Sequence, residues 1–133
     1  MKSPDEIKRT LIQSWYSIAE EDYEVAQHLA SHKTPYLMAI GFHAQQAVEK
    51  YLKALLVSYQ IEFPKTHDIG VLLNLIGKIN APLADSLGEA RTLTPLGVEV
   101  RYPDDISDLQ PINVSQVLEV VKSVRNAVME VLN

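Results

Sequence analysis

Apolar side chains recur at Leu37, Ile40, Ala44, Ala47, Val48, Tyr51 and Leu55, the i, i+3, i+4, i+7 rhythm of a helix with a buried stripe. A second apolar line runs through Met38, Phe42, Leu52 and Leu56. The pattern predicts one long helix from Pro35 to Gln60, roughly 39 Å at 1.5 Å per residue. Thr34 would be its N-cap, and Pro35 suits the first helical position, where a missing N–H costs nothing. A helix apolar over so much of its circumference belongs at the centre of a domain. A polar line interrupts it at His43, Gln46, Glu49, Lys50 and Lys53. Steps of three and four keep these residues on one side. Either this line faces a ligand, or it is a solvated face closed by pairs such as Glu49 with Lys53, each worth only tenths of a kcal/mol.

The same periodicity places four further helices. The first runs from Pro4 to about Ser31, with Ser3 as N-cap and Glu6 completing a capping box. Its apolar stripe is Ile7, Leu11, Trp15, Ile18, Ala19, Ala26 and Leu29. Glu20, Glu21, Asp22 and Glu24 form an acidic run, expected to be a solvated face. Thr66 is expected to cap a third helix reaching about Ile79, with Ile69, Leu72, Leu73, Ile76 and Ile79 on its core face. A short fourth helix is expected over Pro82 to Leu93. Thr94 to Ile112 has no period and is punctuated by Pro95, Gly97, Pro103 and Pro111. Its Val98, Val100, Tyr102, Ile106 and Leu109 favour a docked loop. Asn113, with Gln116 three residues on, opens the last helix, which ends near Leu132. Long helices with mostly short connections indicate an all-α, antiparallel four-helix bundle with an additional short helix.

Composition narrows the function classes. A chain of 133 residues reads as one domain, 1–133, and 47% apolar content is enough for a core without staples. There is no cysteine, which excludes disulfides, thiolate metal sites and a catalytic thiol. The N-terminal residues lack the apolar run of a signal peptide, no membrane-length apolar run exists, and a cytoplasmic setting is expected. The net charge of −5 argues against a wholly basic nucleic-acid binder but leaves room for a local basic patch.

Few residues offer chemistry. His28 and His32 stand four apart, but no third ligand is near, and a helix C-terminus welcomes imidazoles electrostatically. No metal or cofactor is assigned. His67, between Thr66 and Asp68, is either an acid/base group or a packed imidazole. Arg101 offers a planar donor fork for phosphate, or an internal partner for Asp104, and Tyr102 offers a stacking face.

Three blocks carry a resemblance. FHAQQAVEKYLKALL (Phe42 to Leu56), THDIGVLL (Thr66 to Leu73) and VRYPD (Val100 to Asp104) together look like a prokaryotic HEPN domain, over about Trp15 to Leu132. The resemblance implies a five-helix, all-α domain, commonly a homodimer. It also implies frequent pairing with a minimal nucleotidyltransferase as toxin and antitoxin. Many members are metal-independent ribonucleases, and others are nucleotide- or RNA-associated binding modules. The ribonuclease members carry an Arg followed four to six residues later by His. Here Arg101 is followed at those distances by Asp105, Ile106 and Ser107, and His67 is the last histidine. The imidazole needed for such cleavage is missing from its place.

The resulting expectation is a HEPN-type accessory or binding protein. It would be homodimeric, with its first or second helix at the seam, partnered by a nucleotidyltransferase, and able to take nucleotide or RNA. Lys50, Lys53 and Arg101 would hold phosphate, Gln46 a base or sugar, and Glu49 would orient a basic neighbour, with His67 as the sixth member. One alternative is a divergent metal-independent ribonuclease using Arg101 and His67. Another is a helical dimeric scaffold with no ligand.

Overall fold

A computed structural model describes residues 2–33, 36–97 and 113–133. Helix α1 spans Pro4–Ala30, α2 Leu37–Ser58, α3 Ile69–Gly77, α4 Ala81–Ser86 and α5 Val114–Leu132. A 3₁₀ stretch, Gly88–Gly97, lies between α4 and α5. No strand occurs among the described residues, and no helix there is long and apolar enough to cross a membrane.

Capping chemistry sets most helix starts. Ser3 Oγ accepts the Glu6 amide at 3.2 Å, with Pro4 in the first turn. Asn113 Oδ1 accepts the Gln116 amide at 3.0 Å. At α3 the cap is Asp68, whose carboxylate takes the Gly70 amide at 2.8 Å. Thr66, expected to cap that helix, instead receives the Asp68 amide on Oγ1 at 3.0 Å. The helix therefore starts two residues late, because a carboxylate serves a helix N-terminus better than a hydroxyl. It also ends early, and Ile79, expected in the core, is 60% exposed.

Helix α2 starts at Leu37 rather than Pro35, with Tyr36 in the cap position and no side-chain cap. Thr34 and Pro35 lie outside the described residues. The helix stops at Ser58 through a two-bond closure: Ile61 N–H donates to Leu56 O and Gln60 N–H to Val57 O, both at 3.0 Å. This places Gln60 at φ 59°, the left-handed conformation usual for glycine. The expected fourth helix breaks in two. Asn80 caps Ala81–Ser86, and from Gly88 the chain tightens into 3₁₀ turns. Gly88 and Pro95 each oppose a continuous α-helix across this segment.

Helix α2 is central, packing on α1, α3, α5 and the 3₁₀ stretch. Ile40, Ala44, Ala47, Val48, Tyr51, Leu52, Leu55 and Leu56 are fully buried, joined by Ile69, Leu72, Leu73 and Ile76 of α3 and by Val121 and Val128 of α5. The expected stripe of α1 is only half realised. Ala19 and Ala26 are buried, but Ile7, Leu11 and Ile18 stand 48%, 47% and 44% exposed. Leu37 and Met38 of α2 are also largely exposed. The expected apolar residues 98, 100, 102, 106 and 109 lie outside the described residues.

Candidate functional site

The polar line of α2 does not form one face. It divides between two neighbours, and most of it is buried. On one side Glu49, 1% exposed, accepts His67 Nδ1 at 2.6 Å. Its second oxygen lies 3.7 Å from Lys53 Nζ. The ammonium of Lys53 also sits 5.2 Å from the Trp15 ring centre and 5.8 Å from that of Phe63, an aromatic cradle that compensates a poorly hydrated cation. Gln45 fixes the position of His67 by donating from Nε2 to its backbone carbonyl at 2.9 Å. Gln46 in turn donates to Gln45 Oε1 at 2.7 Å. Gly97 closes over this pair, since a Cβ there would lie 2.4 Å from Gln45 Cδ. The imidazole of His67 is 75% exposed. It is the part of the cluster that meets solvent.

On the other side Asp22 of α1 receives Lys50 Nζ at 2.7 Å and pairs with His43 Nδ1 at 2.9 Å. The structure thus brings Gln46, Glu49, Lys53 and His67 together through Gln45. It turns Lys50 toward α1, and Arg101 lies outside the described residues. Both expected phosphate-holding lysines already have a carboxylate partner.

A third cluster joins α1, α2 and α5. Arg125 grips Glu20 through Nε at 2.5 Å and Nη2 at 3.2 Å, and Tyr51 donates its hydroxyl to the same carboxylate at 2.5 Å. Burial opposes ionisation of Glu20, but the bonds from Arg125 and Tyr51 outweigh it and hold the carboxyl below the ordinary glutamate range. Burial, reinforced by the carboxylate, pushes the Tyr51 hydroxyl far up, so it stays a neutral donor. The hydrogen bond to Glu20 raises Arg125 in turn.

The acidic run of α1 is therefore a solvated face only in part, at the exposed Glu21 and Glu24. Glu20 and Asp22 point inward and each neutralises a cation of another helix. Sequence reasoning missed Gln45, Asp22, Glu20 and Arg125 as members of polar clusters. Two adjacent glutamines inside an apolar helix were the visible signal for Gln45. Arg125 had none, because its partner lies 105 residues away. Among the described residues no buried side-chain nitrogen or oxygen lacks a partner. No group of three or more metal-binding side chains occurs among them either. His28 and His32 are exposed and meet edge to face, with ring centres 5.2 Å apart.

Helix α2 with its FHAQQAVEK block, the His67 turn and the last helix all fall within residues 12–132, which match the family model described as the HEPN domain. Comparisons with curated proteins and with solved structures give no match. The matched region takes in every described helix, α1 from its third turn onward, and on that ground the chain belongs to the HEPN domain family.

Proposed function

We propose that this HEPN-domain protein is a binding and accessory module that takes a phosphate-bearing ligand, nucleotide or RNA, at the polar side of α2. It acts as a homodimer beside a nucleotidyltransferase-like partner, in a toxin–antitoxin-like pair within the cytoplasm. The observation that carries this reading is the exposed imidazole of His67 held through Nδ1 by the buried carboxylate of Glu49. With Nδ1 committed, Nε2 is the ring atom left for a ligand. A proton on Nε2 lets the ring donate to a phosphate oxygen while Nδ1 stays on Glu49. Lys50 and Lys53, tied to Asp22 and Glu49, supply fixed positive field rather than free cations. Arg101 adds a planar fork of donors, and Gln46 meets the base or sugar.

The test is titration with single-stranded RNA and with nucleotides at low salt. Replacing Lys50 and Lys53 together by Ala, or His67 by Ala, weakens binding while the helical CD spectrum is retained. Equal affinity of parent and variants ends the reading.

The Glu49–His67 geometry also favours a second reading, since a carboxylate-held imidazole is the arrangement used for proton transfer. RNA cleavage in EDTA that vanishes in His67→Ala would replace the binding module by a metal-independent ribonuclease. With no histidine four to six residues after Arg101, the expected result is no cleavage above a buffer control.

A further inference from the structure

The four histidines of the chain fall into two kinds. His43 and His67 each commit Nδ1 to a carboxylate, that of Asp22 or Glu49. His28 and His32 are exposed, and their rings make no hydrogen bond or ion pair among the described residues. Their ring contacts are with each other, at 5.2 Å between centres, and with Tyr36, whose ring centre lies 6.0 Å from that of His32. An imidazole whose nitrogens are not engaged elsewhere is the commonest protein ligand for borderline divalent metals.

The two rings stand as far apart as a shared zinc ion needs. A Zn–N bond of about 2.0–2.1 Å puts the centre of a coordinated imidazole about 3.2 Å from the ion. Two such rings on one ion have centres about 5.2 Å apart at the tetrahedral angle and about 4.5 Å apart at a right angle. The observed 5.2 Å is the tetrahedral value. The ring planes stand 86° apart, and turning a ring about χ2, a soft two-fold torsion, re-aims its nitrogens without moving its centre. The backbone favours the same occupant. A step of four residues keeps both side chains on one side of α1, and the exposed Glu24 continues the line one turn earlier. His28 lies in the last turn and His32 just past the cap residue Ser31, where the carbonyls of a helix end carry a partial negative charge that welcomes a cation.

We propose that His28 and His32 hold one Zn²⁺ ion, with one nitrogen from each ring and water in the two remaining tetrahedral positions. No group of three metal-binding side chains occurs among the described residues, so the ion is exchangeable, unlike a structural zinc closed by four protein ligands. Mg²⁺ and Ca²⁺ do not suit the site, because they take oxygen donors. Within the chain the ion acts as a clamp. The His32 amide reaches Leu29 O only at 3.4 Å, longer than an ordinary N–H···O bond. The bend that follows α1 is thus weakly tied to the helix, and an ion shared by His28 and His32 fastens it.

Zinc chloride titrated into the full chain at neutral pH tests this, with the four imidazoles followed by proton–nitrogen correlation NMR. The His28 and His32 resonances move together and saturate at one ion per chain, those of His43 and His67 stay in place, and EDTA reverses the change. His28→Gln and His32→Gln, each with the helical CD of the parent, weaken binding at least about tenfold, since even an outer-shell partner of a metal is worth that much. At free Zn²⁺ ten times the dissociation constant the parent melts about 5 °C higher, and amide exchange at His32 slows. Mg²⁺ at the same concentration does neither. Absence of saturable Zn²⁺ binding, shifts centred on His43 or His67, unaltered affinity in either variant, or an equal response to Mg²⁺ overturns the site. A zinc-loaded chain whose His32 amide exchanges as fast as in the free chain overturns the clamp.

Discussion

Glu49→Ala is the sharpest probe of how the polar cluster is held. The carboxylate is 1% exposed and serves two partners. Loss of a hydrogen bond to a charged group costs about 1.5–3 kcal/mol, and the low end applies because His67 is mostly in solvent. The larger effect is on Lys53, buried at the foot of the cluster and left without a counter-ion. Breaking a buried pair from one side costs about 3–5 kcal/mol. The Trp15 and Phe63 rings remain under the ammonium and return about 0.5–2 kcal/mol. The net expectation is a loss of about 3 kcal/mol, or roughly 10 °C in melting temperature for a domain of this size. Urea unfolding followed by far-UV CD measures it. Adding Lys53→Met should recover more than half, since an apolar replacement of a buried pair is often neutral or better. A Glu49→Ala protein within about 0.5 kcal/mol of the parent would refute the reasoning. So would a double variant whose loss is the sum of the two single losses within about 0.5 kcal/mol.

Three other perturbations have expected outcomes. Glu20 is held below the ordinary glutamate range, so its stabilisation is complete above the unfolded value of 4.5 and fades as pH falls through the lower folded value; the stability gap between parent and Arg125→Met, measured in urea, should therefore be large at neutral pH and shrink in acid. Gly97→Ala puts a methyl 2.4 Å from the buried Gln45 side chain and should cost about 1–3 kcal/mol, with a thermal melt unchanged from the parent as the contrary result. Gln60→Gly should instead stabilise, by up to about 1 kcal/mol, by relieving the left-handed backbone that closes α2; a lower urea midpoint would contradict that account.

Much of the fold was legible because it is written locally. Ser3 and Asn113 are caps that act within three residues, and of the α2 apolar positions expected between Ile40 and Leu56 all but Phe42 are buried. The breaks at α4 and at the end of α2 were less legible. Asn80 and Gly88 bracket a helix only six residues long, and Gln60 stops α2 without the glycine that normally announces such a stop. The polar residues were misjudged for a different reason. Glu20, Asp22, Glu49 and Lys53 look like surface charge, since solvation is the usual fate of these side chains. Glu20 and Asp22 are drawn inward by Arg125 and Lys50 of other helices, and Glu49 by His67 outside its own helix; no period within one helix reports such a partner. The same limit explains Ile7, Leu11 and Ile18. Their spacing marks an apolar line, but the line does not say whether its cover comes from the same chain.

Trp15 is the chain's single tryptophan, and it stands at the Lys53 cradle with Phe63 edge-on at 6.2 Å between ring centres. Native emission from this protein is therefore a local signal, set by one indole beside a cation rather than averaged over the fold. Fluorescence will report the moment at which α1 parts from the polar side of α2. It will be nearly silent about α5, whose loosening must be followed by CD. A fluorescence transition that precedes the CD transition would give the order in which the bundle opens.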